Sequence, residues 1–391
     1  MQRASFVYQA YSLCFRNNNG NIICCSYYAF LNRGVLFKGG DIMKSKRYLI
    51  TIIGSFAIIM LIVACFGSAL PKNKEINELE VVVPEEIGWS SVKLEEAKSY
   101  AEQIGSAAVM TLYEGKIFFS WGNISQKYLI HSIRKPFLCA LYGIYVKRGL
   151  IDLNKSLDEL GIDEIPPGLT LIEKQATVRD LLMSRSGIYH EAAAEAQVMI
   201  DTRPERGSHA PGTFFYYNNW DFNVLGTIFE KQTGKKIFEA FKEEIADPIG
   251  MQDFLLSDCR YQYEWNKSKH PAYHFRMTAR DMARFGLLYQ NNGKHGDLQI
   301  IPSEWITEST TPYSINNLDG DGYGYMWSII PEESGFGNGF YHTGTGVHLL
   351  AVLPETKLVL VHRVDTDKDF DITWNEIRQL MYMIAEARIL D

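Results

Sequence analysis

The spacing of apolar residues changes along this chain. Two short apolar runs, residues 107–113 and 116–121, flank Glu114 and Gly115, which predicts a β-hairpin. A short helix is predicted just before it, at about 93–104. From Phe137 onward, apolar residues recur at helical spacing, which predicts a buried helix.

A long and mostly helical region follows, at roughly 150–310. Within it, 223–233 and 237–245 are amphipathic, and 278–290 carries its apolar residues on one face. Pro and Gly residues punctuate the segments between these helices.

Strand patterns return near the end of the chain. They lie at 324–330, 340–343, 347–353 and 357–364, and a final helix is predicted at 371–390. The order strands, helices, strands, helix predicts an α+β domain over residues 87–391. In it, helices flank an antiparallel sheet, and a large helical region is inserted between the early and late strands.

The beginning of the chain differs from this domain. Residues 1–42 show no clear periodicity, and Lys38-Gly-Gly-Asp-Ile-Met43 back-translates into a purine-rich ribosome-binding sequence before a start codon. We therefore interpret Met43 as the true start and residues 1–42 as a spurious leader. A disordered tail is the alternative.

Residues 43–70 are predicted to be a signal peptide or a membrane anchor, because a basic segment precedes a long uncharged run. Leu61-Ile-Val-Ala-Cys65 resembles a bacterial lipobox, in which Cys65 would be lipidated. Alternatively, 49–70 is long enough to span a bilayer. Either way, the positive-inside rule predicts an extracytoplasmic domain. It would be tethered to the bacterial cytoplasmic membrane through 71–86.

The composition is that of an ordinary globular protein. The chain has 391 residues, 46% of them hydrophobic and 22% charged, with a formal net charge of −7. This mild acidity argues against a nucleic-acid partner. The six cysteines have neither the paired spacing of a metal site nor the density of a disulfide scaffold.

The first candidate for chemistry is Ser132 with Lys135. Pro136 lacks an N–H and is tolerated only in the first turn of a helix, so the helix must begin near Ser132. Lys135 then lies one turn further along on the same face. A serine next to an amine at a helix N-terminus is a plausible activated nucleophile, although such a serine is more often only a cap.

Two further segments carry candidate residues. In Gly212-Thr-Phe-Phe-Tyr-Tyr-Asn-Asn-Trp220, Tyr216 and Asn218 are predicted on an extended loop, where residues two apart face the same way. A phenol near an ammonium can act as a general base or acid. The alternatives are a core aromatic and a turn former. The last segment is His342-Thr-Gly-Thr-Gly346, at the end of a late strand; an ordinary glycine-containing turn is its alternative.

Together, Ser-x-x-Lys, Tyr-x-Asn and His-Thr-Gly resemble the three motifs of the penicillin-recognising serine hydrolases. The Tyr-x-Asn form is similar to the branch of class C β-lactamases, DD-peptidases, esterases and 6-aminohexanoate-dimer hydrolases. The resemblance implies a β-lactamase/transpeptidase-like fold and hydrolysis of an amide or ester through an acyl-enzyme on Ser132. It also implies a small-molecule or peptide substrate and no cofactor or metal.

The resemblance assigns a role to each residue. Ser132 is the nucleophile, and Lys135 and Tyr216 share the proton transfers, with the base left open between them. Asn218 orients the substrate amide and holds Lys135. The substrate-binding wall comprises His342, Thr343, Gly344 and Thr345, and the amides of Ser132 and Thr345 are predicted to form an oxyanion hole.

The sequence departs from the family pattern at two places. Where many members have lysine, His342 is mostly neutral at its reference pKa of about 6.5 and anchors a carboxylate less well. This favours an esterase, amidase or peptidase over an efficient β-lactamase. Arg134 is expected to reach solvent or a carboxylate, but near Lys135 it would lower the pKa of that amine. A penicillin sensor that acylates without turnover and an inactive scaffold are the rival functions.

Overall fold

A computed structural model of the chain describes residues 7–16, 22–31, 78–316, 320–331 and 334–389. The chain divides into two units, Met1–Lys74 and Glu75–Asp391. In the first unit, β1 (Val7–Arg16) pairs antiparallel with β2 (Ile22–Leu31). No strand was predicted there. The predicted signal or anchor segment, 43–70, and Cys65 lie outside the described residues, as do residues 71–77 of the predicted tether.

The second unit is built on an eight-stranded sheet. Its strands are β3 (Ala108–Tyr113), β4 (Lys116–Gly122), β10 (Ser314–Ile315), β11 (Gly322–Tyr323), β12 (Ser328–Ile330), β13 (Gly339–Gly344), β14 (His348–Leu353) and β15 (Leu358–Arg363). Their order in the sheet is β10-β11-β12-β13-β14-β15-β3-β4, and every neighbouring pair is antiparallel. Early and late strands therefore share one sheet, and the predicted α+β architecture is confirmed.

Both faces of this sheet are covered, because its central strands carry apolar residues toward both sides. On one side, Val109 and Leu360 pack with the terminal helices α1 (Ser91–Gln103) and α9 (Trp374–Glu386). On the other side, alternate residues such as Met110 join a larger core with the helical region. The catalytic candidates lie on the helical side.

The helical region contains the helices between the two groups of strands. They are α2 (Arg134–Lys147), α3 (Val178–Leu182), α4 (Gln197–Asp201), α5 (Asn219–Thr233), α6 (Ile237–Phe241), α7 (Ala279–Gln290) and α8 (Ser303–Ser309). None of the helices in the part of the chain that the structure describes is long and apolar enough to cross a membrane.

The region is less uniformly helical than predicted. It contains a three-stranded antiparallel sheet of β5 (Tyr128–Leu129), β6 (Cys259–Glu264) and β7 (Ser268–Met277), in the order β5-β7-β6. A two-stranded ribbon, β8 (Lys294–His295) with β9 (Leu298–Gln299), follows α7. The small sheet matters for the site because β5 leads directly into the turn that carries Ser132.

Candidate active site

Ser132 lies in a tight 3-10 turn, His131–Ile133, that runs straight into α2. Pro136 is the third residue of α2, where the absent N–H costs no intrahelical bond, so the predicted helix start is confirmed. The Ser132 side chain is only partly buried, whereas the residues that follow it along α2 are buried. The hydroxyl is thus at the accessible end of a core helix.

Lys135 is the centre of the cluster. Its Nζ lies 2.8 Å from Ser132 Oγ and donates to the Tyr217 hydroxyl at 2.6 Å. The amine also faces two aromatic rings, those of Tyr217 and Phe222, at 4.5 and 4.7 Å from the ring centroids. Burial, and secondarily the charge of Arg134, lowers the pKa of Lys135 well below its ordinary value. The predicted contact between Ser132 and Lys135 is confirmed.

Arg134 is placed differently from the prediction. Its guanidinium reaches neither solvent nor a carboxylate but is buried, donating to Asn223 Oδ1 at 3.3 Å and lying 4.5 Å from the centroid of the Tyr273 ring. The reason is that this side of α2 packs against α5 and β7, which supply those two partners. We also expected that Arg134, if it lay near Lys135, would lower the pKa of that amine, and the charge of Arg134 does so.

The phenol beside Lys135 belongs to Tyr217, so the prediction of Tyr216 is wrong. The Tyr216 hydroxyl donates to the carbonyl of Met199, on the far side of the loop. Side chains one residue apart in an extended segment face opposite ways, and a one-residue change of frame therefore exchanges the two tyrosines. Ser184 fixes this frame, since its carbonyl accepts from the Tyr216 N–H and its Oγ donates to the Tyr216 carbonyl.

The same shift applies to the asparagine, and the prediction of Asn218 at the amine is also wrong. Asn218 is the N-cap of α5: its Oδ1 accepts from the Trp220 N–H at 3.0 Å, and its Nδ2 donates to the Ile188 carbonyl at 2.6 Å. The turn-former alternative therefore describes Asn218. The Tyr216 side chain reaches the Met199 carbonyl and the Asn218 side chain reaches the Ile188 carbonyl, so the two do not meet at the amine.

The sequence analysis selected neither Tyr217, which lies beside the amine, nor Asn219, two residues further along the chain. Asn219 Nδ2 donates to the Ala194 carbonyl, while its Oδ1 is buried without a hydrogen-bond partner among the described residues. A buried acceptor left unpaired is unusual and typical of a functional position. The run Tyr216-Tyr217-Asn218-Asn219 contains the Tyr-x-Asn pattern in two overlapping frames, and that repetition was the available signal.

His342, on β13, faces the same cluster in a neutral form. Its Nδ1 is 2.7 Å from the Thr343 carbonyl, which can only accept, so Nδ1 carries the proton. Nε2 is then an acceptor and lies 3.4 Å from the Tyr217 hydroxyl. Burial and the nearby Lys135 lower the pKa of His342 to about 3, so this position presents no positive charge near neutral pH.

The end of β13 approaches the nucleophile turn closely. A Cβ on Gly344 would lie 2.5 Å from the Ile130 carbonyl oxygen and 3.2 Å from His131 Cβ, so only glycine fits this position without displacement. Thr343 is the preceding residue of β13, and Thr345 follows in an exposed turn. The oxyanion hole of the Ser132 and Thr345 amides stays a prediction.

The assembled groups suit nucleophilic chemistry. The partly accessible Ser132 hydroxyl contacts the buried Lys135 amine, which contacts the Tyr217 phenol. The neutral His342 imidazole lies next to that phenol. Within the described ranges, no group of three or more His, Cys, Asp or Glu side chains is placed to hold a metal ion.

Comparison with known proteins places these residues in context. Residues 92–379 match the Beta-lactamase family. A D-aminopeptidase from Brucella anthropi is 27% identical over 165 residues, which is 37% of this chain and 31% of that enzyme. The chain thus aligns with about a third of the length of that curated relative.

Two solved structures share the fold. A protein described as a 6-aminohexanoate-dimer hydrolase from Bacillus anthracis matches with a TM-score of 0.60 and 21% identity, covering 80% of this chain and 87% of its own. The D-alanine carboxypeptidase AmpC from Burkholderia cenocepacia matches with a TM-score of 0.56 and 16% identity, covering 76% and 99%.

Proposed function

The chain belongs to the Beta-lactamase family of serine hydrolases, and we propose that it hydrolyses an amide or ester through an acyl-enzyme on Ser132. Its activity would be that of an esterase, amidase or peptidase rather than an efficient β-lactamase. The observation that carries the proposal is the position of Lys135 Nζ, in contact with both Ser132 Oγ and the Tyr217 hydroxyl. The similarity to a D-aminopeptidase and to amide hydrolases supports it.

The two shifted pKa values favour Lys135 as the base for the attack. The pKa of Lys135 is lowered and burial raises the pKa of Tyr217, so a neutral amine beside a protonated phenol is the favoured pair. Lys135 accepts the Ser132 proton as Oγ attacks the carbonyl carbon. Tyr217 then passes its proton to the departing nitrogen or oxygen and regains one from the Lys135 ammonium, and water releases the acyl group.

The neutral state of His342 supports the choice against β-lactamase activity. A β-lactam presents a carboxylate, and a cation at this position would pair with it. His342 instead offers only an acceptor nitrogen toward Tyr217. A substrate carboxylate would therefore gain little at this wall.

Labelling and turnover test the proposal together. A fluorophosphonate should label the wild-type protein and Ser99→Ala, a control at an exposed serine of α1, but not Ser132→Ala. In a separate assay without the fluorophosphonate, the wild-type protein and Ser99→Ala should hydrolyse a p-nitrophenyl ester over many turnovers. One equivalent of stable acylation by a penicillin without turnover would instead indicate a sensor, and neither labelling nor turnover would indicate a scaffold.

We also propose that the domain is extracytoplasmic and held at the membrane by residues 43–70. The support is the basic segment before the apolar run and the lipobox-like Leu61–Cys65. Growth with labelled palmitate should mark the wild-type protein but not Cys65→Ser if Cys65 is lipidated. Unlabelled protein that remains in the membrane fraction would indicate the uncleaved anchor, and recovery of both forms in the soluble cytoplasmic fraction would contradict the proposal.

A further inference from the structure

A small cavity adjoins the catalytic tyrosine candidate. Its volume is about 170 Å³, and its walls include Val198 and Met199 of α4 together with Phe214, Phe215 and Tyr217. Pockets that enclose a whole drug-sized ligand measure about 300–1,000 Å³. This one, which we call the Tyr217 cavity, therefore has room for a single side chain rather than a complete ligand.

The Tyr217 cavity and the row of reactive groups have one residue in common. Tyr217 lines the cavity and also accepts the hydrogen bond from Lys135. The Tyr216 hydroxyl donates to the Met199 carbonyl, which holds α4 against the segment that carries Tyr217. The Phe215 ring packs against the Tyr323 ring, with 4.9 Å between the ring centroids, and this contact supports the aromatic wall of the cavity.

The cavity is uncharged as well as mainly apolar. Among the described residues that line it, none is Lys, Arg, Asp or Glu. Two charged residues, Asp201 and Arg203, flank Thr202 of the cavity wall along the chain, and Arg203 is paired with Glu195. An ionised substituent would lose its hydration there without gaining a partner, whereas an aliphatic or aromatic group would gain by leaving water.

We propose that the Tyr217 cavity receives the apolar side chain of the leaving group, so that the preferred substrates are amides or esters of uncharged, hydrophobic amines or alcohols. This inference rests on the proposed function. As the Ser132 Oγ–carbon bond forms, the bond from the carbonyl carbon to the leaving atom breaks, and its electron pair stays on that atom. The proton that this atom needs comes through Tyr217, so the departing fragment lies beside Tyr217, which is also a residue of the cavity wall.

Two ester series separate the leaving group from the acyl group. In one series the acyl group is acetyl and the alcohol lengthens from methyl to hexyl; in the other the alcohol is methyl and the acyl chain lengthens. For the wild-type protein, kcat/KM should rise with alcohol length by about tenfold or more and respond less to acyl length. An equal or greater rise in the acyl series would overturn the assignment.

Variants at the cavity mouth test its position. Val198 is 52% exposed, so Val198→Phe should fold while narrowing the cavity, and Val198→Ala should widen it. Val198→Phe should remove the preference for long alcohols but spare methyl acetate. Val92→Phe, at a 71% exposed valine of α1 in the opposite layer, is the matched control and should behave as the wild type. Unchanged alcohol dependence in Val198→Phe would exclude the cavity.

A dipeptide pair tests the charge argument. Alanyl-leucine amide should be cleaved with a higher kcat/KM than alanyl-leucine, whose leaving group carries a free carboxylate, when each is supplied in both configurations. The reverse order would contradict an uncharged subsite. If methyl acetate is hydrolysed and Ser132 is labelled but neither preference appears, only the cavity inference fails. If Ser132 is not labelled and no ester is cleaved, the proposed function fails and the inference fails with it.

Discussion

Arg134 and Lys135 are adjacent on α2, and both side chains are buried with no carboxylate ion pair to either among the described residues. Two adjacent cations without a counterion raise the free energy of the charged forms. The guanidinium keeps its charge more readily than an amine does, so the amine is the group that loses its proton. This arrangement supplies a neutral amine without any nearby base.

The first prediction concerns the pH dependence of that amine. A general base must be unprotonated, so kcat/KM should rise with pH through the pKa of Lys135. Arg134→Met removes a positive charge and should raise that pKa, which moves the acid limb of the pH–rate profile to higher pH and lowers activity at neutral pH. Arg134→Lys should fall between the wild type and Arg134→Met, because a buried amine keeps its charge less readily than the guanidinium. Coincident acid limbs in Arg134→Met and wild type would refute the coupling.

The second prediction distinguishes the two tyrosines. Tyr217→Phe removes the proton-transfer hydroxyl and should lower kcat by about 10²–10⁴-fold. Tyr216→Phe removes only the bond to the Met199 carbonyl and should cost about 1 kcal/mol of unfolding free energy with little effect on acetyl ester turnover. Parallel kinetics and thermal denaturation measure both. A large kcat loss confined to Tyr216→Phe would restore the frame first predicted.

The third prediction concerns Asn218 as a cap. Asn218→Ala should lower the free energy of unfolding by about 0.5–2 kcal/mol, because α5 loses its N-cap acceptor. Turnover per folded molecule should change little. Asn219→Ala should cost less stability than Asn218→Ala, because it removes the bond to the Ala194 carbonyl but no N-cap bond. Chemical denaturation with active-site titration decides between them, and equal effects on stability would count against this division.

The fourth prediction uses the tight contact at Gly344. An alanine Cβ there would lie 2.5 Å from the Ile130 carbonyl oxygen, so Gly344→Ala should separate β13 from the nucleophile turn. A displacement near 1 Å can cost about 10²-fold in rate. Gly286→Ala provides the control, because its Cβ would lie equally close to Val359 Cγ1, on the helix–sheet contact. It should cost about 1–3 kcal/mol in stability but not this loss of rate. Similar kcat losses in both variants would contradict a positioning role.

The sequence was most informative where a local rule decides the structure. Pro136 fixed the start of α2, and spacing along one helix face then brought Lys135 to Ser132. The order of strands and helices along the chain followed from apolar runs, because the strands of the sheet are buried on both faces. These features depend on neighbours along the chain, and a reader of the sequence can therefore find them.

The remaining features depend on distant partners. Whether Tyr216 or Tyr217 faces the amine is set by Ser184, a residue with a positive φ of 55° on another segment. The burial of Arg134 depends on Tyr273 from β7. That strand pairs in part with the two-residue β5, and it mixes polar, charged and aromatic residues with Pro271, so it has no clear strand pattern.

The pairing of β3 with β15 has a consequence for biosynthesis. Tyr113 pairs with Leu358, so the first strand of the main sheet waits for a segment that is synthesised much later. Contacts this far apart along the chain are slow to form. The nascent chain therefore carries its serine, amine and phenol long before it has the β-strand wall that completes them, and hydrolytic activity can begin only after β13 to β15 have been synthesised.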